Sequence, residues 1–474
     1  MTVTTGSSKV FSQMYWPAKE HPAETVLPLS GSVPQELRGT LYRNGPADWD
    51  HGGFRAAHPF DGDGLMVKFA ITDGEVRFRS RFVDTPKRRK ENRGEGAHIR
   101  GSYTQGSRFL DNAGHSAADN ANTHAVVHGN RLLALSDAGR PWAIDANDLS
   151  TLGPCTFDGK LPRYSRFSPH PRIDPQTGEL FNFGLDFSPS LEDRTVACLR
   201  CFRVDPNGTL TEIAKIPTPH VYIQHDFAIT PTYLVFALAP ITADPIRTAL
   251  AGAGVGTIGD SVYYRPEQGM RIVLVPRDGG PHRTIECDPL VYVHVDNAYE
   301  DRGDVVLDVV RHQDFDFLSG GLKKFRQEAP TMGWPARLRI TRNGRVEVTD
   351  YSSAPAEFPT HDERRTGHEH RYTYLAGQPA YDQNVIVKID RSDDSQSHHT
   401  FAPGLIAGEP IFVPRSDSAG EDEGWLLTVV YNSGEHRTEL HIIDARAMEQ
   451  SARAIAVLPG HHFPGFHGSF THKV

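Results

Sequence analysis

Short β-rich runs joined by tight turns recur along the chain, and they constrain its fold more than any other feature. The clearest examples are residues 68–71 and 76–79 around Asp73-Gly74, and residues 338–340 and 346–348 around Asn343-Gly344. Asp-Gly and Asn-Gly pairs supply the positive φ angles that tight hairpins need. Long amphipathic helical patterns are scarce, so the sequence predicts a mostly β protein.

So many short strands in one chain must avoid leaving exposed sheet edges. In 474 residues, radial repetition of four-stranded sheets into a propeller is one solution, and two packed sandwiches are another. Hairpin spacing alone does not choose between them, because the chain lacks the repeated signature of regular propeller families.

Composition excludes several classes of function. The net charge is -9, and the longest basic cluster, residues 87–90, is interpreted as a solvated loop, so no nucleic-acid partner is expected. Four cysteines in a chain of this length do not form a disulfide framework, and the first residues do not resemble a signal peptide. Since no long apolar run is present, the sequence predicts a cytoplasmic protein that does not cross a membrane.

Four of the 24 histidines stand apart because of their neighbours. His170 lies between two prolines, which favour an extended backbone next to a strand. His225 opens the run HDFAIT, His294 begins HVDNAYE, and His467 lies in PGFHGSF near the C-terminus. These four histidines are therefore singled out from the rest.

The segments around these histidines resemble those of the carotenoid cleavage oxygenase family, whose iron is bound by four histidines. The likeness extends over nearly the whole chain and is nearest to bacterial apocarotenoid-cleaving enzymes, particularly in residues 11–46. Further matching segments are residues 39–46, 58–65, 122–123 and 407–415. The resemblance implies one domain over residues 1–474, folded as an all-β seven-bladed propeller with a helical and loop dome over the iron. It also implies that the metal ligands, and with them the catalytic residues, are four histidines that hold Fe(II): His170, His225, His294 and His467.

The chemistry of the residues agrees with this expectation. Neutral imidazole is a good ligand for divalent iron, and an all-nitrogen ligand set leaves coordination positions for other molecules. The four histidines are too far apart in the sequence for a local metal-binding loop. The inner strands of a propeller could nevertheless bring them to one axis.

The family also uses three glutamates that orient the histidines by accepting a hydrogen bond from each ring. Two of them correspond to Glu357 and Glu409, and the third falls at Asp137. Aspartate is one methylene shorter, so Asp137 would reach its histidine after a backbone shift or through a bridging water; alternatively, it is only a turn residue. Thr123 corresponds to a family threonine near an open coordination position, although it could equally be a packed strand residue.

The resemblance implies a non-haem Fe(II) dioxygenase that cleaves a conjugated C=C bond of a carotenoid or apocarotenoid with O₂, giving two carbonyl products. Its partners would be O₂ and a hydrophobic polyene. Stilbene-cleaving relatives are an alternative, but they carry lysine immediately before the orienting acid, where this chain has Ser136. A second alternative is an isomerohydrolase that cleaves an ester on the same scaffold without O₂.

A substrate of low solubility must be taken from a membrane or a carrier. Residues 233–241, together with Ile246 and Leu250, would form an apolar patch that rests on a bilayer as a peripheral contact. Alternatively, residues 233–241 form a buried strand followed by a loop.

Two further patterns invite a metal site and are rejected. Cys198 and Cys201 have CxxC spacing but lack a second ligand pair. His368 and His370 flank Glu369 in an extended segment, where neighbouring side chains alternate between faces.

Overall fold

The computed structural model describes residues 7–51, 53–93, 99–106, 119–137, 139–163, 165–190, 195–315, 332–380 and 383–472. Seven antiparallel sheets of four to six strands dominate them. We call these sheets blades 1 to 7 and number the strands in chain order.

Blades 1 to 3 contain the following strands. Blade 1 consists of β1 (His21–Val26), β7 (Glu75–Phe82), β6 (Asp63–Thr72), β3 (Gly39–Asp48) and β36 (His467–Thr471). Blade 2 consists of β8 (His124–His128), β9 (Arg131–Leu135), β10 (Trp142–Ile144) and β11 (Thr151–Pro154). Blade 3 consists of β12 (Arg172–Ile173), β13 (Leu180–Ser190), β14 (Thr195–Val204) and β15 (Leu210–Thr218).

Blades 4 to 7 follow the same plan. Blade 4 consists of β17 (Ala228–Ile229), β18 (Tyr233–Leu238), β21 (Met270–Pro276) and β22 (Arg283–Cys287), blade 5 of β23 (Val291–Asp301), β24 (Asp304–His312), β25 (Trp334–Ile340) and β26 (Val346–Asp350), blade 6 of β27 (Ala356–Thr360), β28 (Tyr372–Ala380), β29 (Gln383–Asp390) and β30 (Ser395–Thr400), and blade 7 of β31 (Leu405–Ala407), β32 (Ile411–Pro414), β33 (Gly424–Asn432), β34 (Arg437–Asp444), β35 (Ala454–Val457) and β2 (Leu29–Gly31).

The remaining elements lie in the connections. They are the pair β4 (Asp50–His51) and β5 (Phe54–Arg55), the small sheet of β16 (Val221–Tyr222), β19 (Ile241–Ala243) and β20 (Val262–Tyr264), and the helices α1 (Ser7–Met14), α2 (Pro86–Asn92) and α3 (Pro245–Gly252). Asp244 caps α3 by accepting a hydrogen bond from the Arg247 N–H at 2.9 Å. The segment around α3 meets the connection between blades 1 and 2, because the Gly259 N–H donates to the Ser102 carbonyl at 2.8 Å. These connections supply the helices and loops of the expected dome.

Seven apolar clusters show that the blades close into a ring. Each cluster joins the facing sides of two neighbouring blades, and the series runs from blades 1 and 2 through to blades 7 and 1. Alternation along the strands makes this possible: Leu41 of β3 packs toward blade 7, whereas Tyr42 packs toward blade 2. The expected all-β seven-bladed propeller is confirmed, and the sandwich alternative is wrong.

Blade 1 closes the ring with strands from both ends of the chain. The C-terminal β36 pairs with the N-terminal β3, so that Asn44 lies opposite His467 and Arg43 opposite Gly468. At the same time, β2 from the N-terminal region pairs with β35 in blade 7. Residues that are distant in sequence are therefore held together at the inner strand of blade 1 and at the outer strand of blade 7.

The two alternatives for residues 233–241 are resolved by burial. Leu234, Val235 and Phe236 of β18 are buried, as the strand alternative expects. Ile246 and Leu250 of α3 are exposed, at 74% and 47%. Within the residues described, no helix combines the length and apolar character needed to cross a bilayer.

Candidate metal centre

The four predicted histidines meet on the propeller axis. His170 and His225 immediately precede the inner-strand regions of blades 3 and 4, His294 lies in β23 of blade 5, and His467 begins β36 of blade 1. One ring nitrogen from each lies within 4.8 Å of the other three, and the Nε2 atoms of His170 and His225 are 2.9 Å apart. Their convergence makes this a candidate metal site.

The backbone on either side of His170 is fixed by a serine. The Ser168 hydroxyl accepts a hydrogen bond from the His170 N–H at 3.1 Å and donates one to the His225 carbonyl at 3.1 Å. The Ser168 carbonyl in turn accepts from the Asn182 side chain at 2.8 Å. These contacts tie the two histidine-bearing segments of blades 3 and 4 to each other.

Three carboxylates hold three of the imidazole rings. The Nδ1 atom of His225 is 2.7 Å from Asp137, that of His294 is 2.6 Å from Glu357, and that of His467 is 2.8 Å from Glu409. When Nδ1–H donates to a carboxylate, the Nε2 lone pair is free to bind a metal.

The carboxylates come from the three blades that supply none of the four candidate histidine ligands. Asp137 follows β9 of blade 2, Glu357 lies in β27 of blade 6, and Glu409 lies between β31 and β32 of blade 7. Asp137 contacts His225 directly, so the shorter side chain reaches the ring without an intervening water. Every blade thus contributes one residue to the centre.

Two of the carboxylates also bind a second basic side chain. Glu357 accepts from His312 Nε2 at 2.7 Å. Glu409 pairs with Arg43, which is itself buried and donates to the Phe466 carbonyl at 3.1 Å. Each of these two buried carboxylates is therefore held between a candidate ligand and a second donor.

The electrostatics favour neutral rings at two positions. Burial, together with the neighbouring histidines, lowers the pKa of His170 and of His467 well below the usual range. Burial also acts to lower the pKa of His225, but the nearby Asp137 carboxylate outweighs it and raises that pKa. Burial would raise the pKa of Glu357, yet His294 and His312 lower it overall.

Asp226 connects the strands beneath the histidines. It accepts two hydrogen bonds from Arg172, at 2.8 and 2.9 Å, and one from the Val295 N–H at 2.8 Å. Its Oδ2 atom also lies 3.8 Å from His170 Nδ1. This ion pair therefore ties blades 3, 4 and 5 together next to their candidate metal ligands.

A cavity of about 220 Å³ opens beside the imidazoles. Its wall includes His170, His294 and His467 together with Phe358, whose ring centroid is 5.2 Å from that of His294. Phe358 has a φ of +56°, a strained conformation for a residue with a side chain. The cavity is smaller than the roughly 300–1,000 Å³ of pockets that enclose drug-sized ligands, so it does not by itself hold a long polyene.

Thr123 lies next to the centre through its backbone. Its carbonyl accepts from the His467 N–H at 3.1 Å, and its hydroxyl lies 3.3 Å from the Asn122 side-chain oxygen. The two histidines rejected as a metal site, His368 and His370, have other partners. His370 is 3.0 Å from Asp296, and His368 is 3.0 Å from Gln176.

Two other groups of potential ligands occur among the described residues, and both contain ion pairs. Asp308 of the Asp296–His370 group binds Arg337 at 2.7 and 2.8 Å. Asp63, beside Asp48 and His51, binds Lys87 and Arg88, each at 2.8 Å. These basic side chains already supply the positive charge that a cation would bring.

Sequence reasoning missed Arg43, His312, Arg172 and Asp226. Arg43 lies inside the recognised segment of residues 39–46, and a buried strand with one arginine was a signal that its charge must be paired. His312 gave no comparable signal, because it meets Glu357 only where β24 of blade 5 lies beside β27 of blade 6.

Comparisons with known proteins agree with this geometry. The family model described as "Retinal pigment epithelial membrane protein" matches residues 15–472. The apocarotenoid-15,15'-oxygenase of Synechocystis is 34% identical, over 93% of this chain and 92% of that protein. Resveratrol cleavage oxygenase 1 of Aspergillus fumigatus is 28% identical, over 97% of this chain and 95% of that protein. The crystal structure of the cobalt-substituted Synechocystis enzyme superposes with a TM-score of 0.88 at 31% identity, covering 98% of this chain and 99% of the other.

Proposed function

The chain belongs to the retinal pigment epithelial membrane protein family, that of the carotenoid cleavage oxygenases, and on this premise we propose that it is an Fe(II)-dependent dioxygenase. Its substrate would be a carotenoid or apocarotenoid. One C=C bond and O₂ are consumed, and two C=O groups form. The observation that carries this proposal is the convergence of His170, His225, His294 and His467 on the axis.

The donor set fits iron in its ferrous form. Four imidazole nitrogens suit a first-row divalent metal, and the bound metal would supply the position at which O₂ is activated. Asp137, Glu357 and Glu409 orient three of the rings, while the apolar clusters between blades hold the blades against one another. The overall reaction neither releases nor consumes a proton, so no acid or base is assigned.

Thr123 is proposed to limit the space beside the metal. Its backbone contact with His467 fixes its position relative to one ligand, so its side chain would have a constant place next to an open coordination position.

The identity of the substrate is supported by the Synechocystis relative and by Ser136. The stilbene reading has its own support in the Aspergillus relative, although Ser136 offers no ammonium group to a phenol. The Ser136 hydroxyl instead donates to Asp119 at 2.6 Å.

The test is anaerobic loading of the purified protein with Fe(II), followed by oxygen consumption and product chromatography. An apocarotenal and a hydroxystilbene are supplied in separate reactions. We expect one O₂ consumed per apocarotenal cleaved, no activity in His225→Ala, and full activity in the matched control His368→Ala. Cleavage of the stilbene alone would transfer the proposal to that substrate, and turnover without oxygen uptake would support the isomerohydrolase.

We also propose that α3 rests on a membrane from which the substrate is taken. Ile246, Leu250, Val255 and Tyr263 are exposed apolar side chains in and near α3. The guanidinium groups of Arg247 and Arg265 each lie 5.7 Å from the Tyr263 ring. Apolar side chains bordered by arginine are suited to the lipid headgroup region.

Sedimentation with anionic phospholipid vesicles tests this contact. Ile246→Glu with Leu250→Glu should abolish co-sedimentation, whereas Leu152→Glu, at an equally exposed site in blade 2 (66%), should leave it unchanged. Equal binding by all three proteins would exclude α3 as the contact. We also propose a cytoplasmic location, because the four cysteines are free thiols, as is usual in a reducing compartment.

A further inference from the structure

Asp119, in the connection that precedes β8, receives four hydrogen bonds. Its Oδ1 atom accepts from the Ser136 hydroxyl at 2.6 Å and the Ala121 N–H at 3.0 Å. Its Oδ2 atom accepts from the Trp142 indole N–H at 2.8 Å and the Arg140 N–H at 3.2 Å. Carboxylates held by several N–H and O–H donors are well fixed in position.

Two of these donors lie on either side of Asp137. Ser136 precedes it directly, and Arg140 follows three residues later. Gly139, between them, is so close to Asp119 that a Cβ atom there would lie 2.0 Å from the Asp119 Cγ. The carboxylate of Asp119 is therefore enclosed by the same loop that carries Asp137.

The position of this loop matters because Asp137 has a short side chain. Its carboxylate lies 2.7 Å from His225 Nδ1 although about half of the side chain is exposed. A glutamate has one more rotatable bond and could follow a small displacement of the loop by changing rotamer. Aspartate lacks this freedom, so the loop backbone must be held at the correct distance.

The same carboxylate also fixes the segment that leads to Thr123. Ala121 has a φ of +48°, which is unfavourable for a residue with a Cβ atom, and its N–H is bound by Asp119. One side chain thus links the two parts of blade 2 that approach the metal centre.

We propose that Asp119 is a positioning residue that holds Ser136 and Arg140, on either side of Asp137, and through Asp137 the imidazole of His225. This inference rests on the proposed role of His225 as a metal ligand. Asp119 itself does not touch the centre. Its loss should weaken metal binding through Asp137, which contacts the ring of a candidate ligand, whereas the segment that leads to Thr123 contacts the His467 backbone.

The test is a double-mutant cycle on the apo protein, with Co(II) titrated by calorimetry. Partners of metal-binding histidines typically contribute 10–100-fold in metal affinity. We expect Asp119→Asn to weaken Co(II) binding about tenfold, and Ser136→Ala to weaken it in the same direction by less. Asp119→Asn combined with Asp137→Ala should bind no more weakly than Asp137→Ala alone, because the route through Asp137 is already lost.

Asp174→Asn is the matched control. Asp174 also fixes a turn, by accepting from the Gln176 N–H at 2.7 Å, but in blade 3 and away from Asp137. Its variant should lose stability while retaining the wild-type affinity for Co(II). The visible absorption spectrum of bound Co(II) provides a second readout, which should change in Asp119→Asn and not in Asp174→Asn.

The outcomes separate this inference from the proposed function. If the wild-type protein binds no Co(II), the metal site itself is wrong. If the wild type binds and Asp119→Asn or Ser136→Ala binds equally well, the positioning role is wrong. Effects of Asp119→Asn and Asp137→Ala that multiply in the double variant would also overturn it, since Asp119 would then act by a route independent of Asp137.

Discussion

Arg43 is the buried cation next to the metal centre, and its charge is paired by Glu409. Taking both groups out of water is costly, and the pair stabilises the fold only while both partners remain. Because Glu409 also accepts from His467 Nδ1 and the Gly468 N–H, Arg43 acts on the ring of a candidate ligand.

Replacing Arg43 with methionine should leave the Glu409 charge buried without its ion-pair partner. The expected loss is about 3–5 kcal/mol in the free energy of unfolding, measured by urea denaturation of the apo protein. Arg38→Met is the control, because the Arg38–Asp73 pair is exposed and such pairs contribute less than about 1 kcal/mol. Similar losses in the two variants would contradict the role given to Arg43.

His462 makes the stability of the protein depend on pH. Burial, with His21 and His461 nearby, lowers the pKa of His462 to about 3. The folded state therefore keeps this ring neutral where the unfolded chain takes up a proton. Its contribution is complete above the unfolded pKa of about 6.5 and is lost as the pH falls toward 3.

The variant His462→Gln removes this titrating group. Between pH 7.5 and pH 5.0, the wild-type protein should lose about 2 kcal/mol more stability than the variant, since each pH unit below 6.5 costs about 1.4 kcal/mol. Urea denaturation at both pH values provides the measurement. Parallel pH profiles would show that His462 is protonated as easily in the folded state as in the unfolded one.

At the level of strands, local turn chemistry was the most informative part of the sequence. The hairpin around Asp73-Gly74 is confirmed, with φ angles of +51° and +81° at the two residues, and β6 and β7 pair on either side of it. The strands predicted around Asn343-Gly344 are also confirmed as β25 and β26. These features depend on neighbouring residues, so the sequence contains what is needed to predict them.

Contacts between distant strands could not be read in the same way. The propeller and the four histidines were recognised through a family resemblance, since the hairpins alone left a sandwich open. The pairing of Arg43 with Glu409 and of His312 with Glu357 depends on which blades are neighbours. The direct contact of Asp137 with His225 depends on the exact loop position, which no local pattern specifies.

Gly468 allows β36 to approach β3 closely. A Cβ atom at this position would lie 2.2 Å from the Tyr42 carbonyl oxygen and 2.6 Å from the Arg43 side chain. Gly468→Ala should therefore force the strands apart, with a loss of about 1–3 kcal/mol and weaker metal binding through the adjacent His467. Thermal unfolding and Co(II) titration provide the measurements.

Gly252, at the end of α3, is the matched glycine, because nothing lies within 4 Å of a Cβ atom built there. Gly252→Ala should leave stability and Co(II) affinity nearly unchanged. If both variants behave alike, the close approach of β36 to β3 is not a requirement of the fold.

In the whole molecule, the candidate metal centre is the place where residues from all seven blades meet. The candidate ligands come from blades 1, 3, 4 and 5, so a bound ion connects blades across the axis. A ligand that binds only the folded state stabilises it by about 2.7 kcal/mol at a hundredfold excess over Kd.

Loading with Co(II) should accordingly raise the melting temperature of the wild-type protein by several degrees. His294→Ala should show a much smaller increase, and His128→Ala, which changes a histidine that contacts the Gly178 carbonyl, should show the full increase. Differential scanning calorimetry with and without Co(II) is the measurement. An unchanged melting temperature in the presence of saturating metal would mean that the ion does not bind the folded state preferentially.

The pairing of β36 with β3 also sets an order of events during synthesis. The ribosome makes β3 early, but its partner and His467 emerge only after all the strands of the other six blades. Blade 1 therefore waits, with the inner edge of β3 unpaired, until the rest of the ring has been translated. A nascent chain cannot assemble the complete centre, so a metal ion would be acquired by a finished propeller rather than by a growing one.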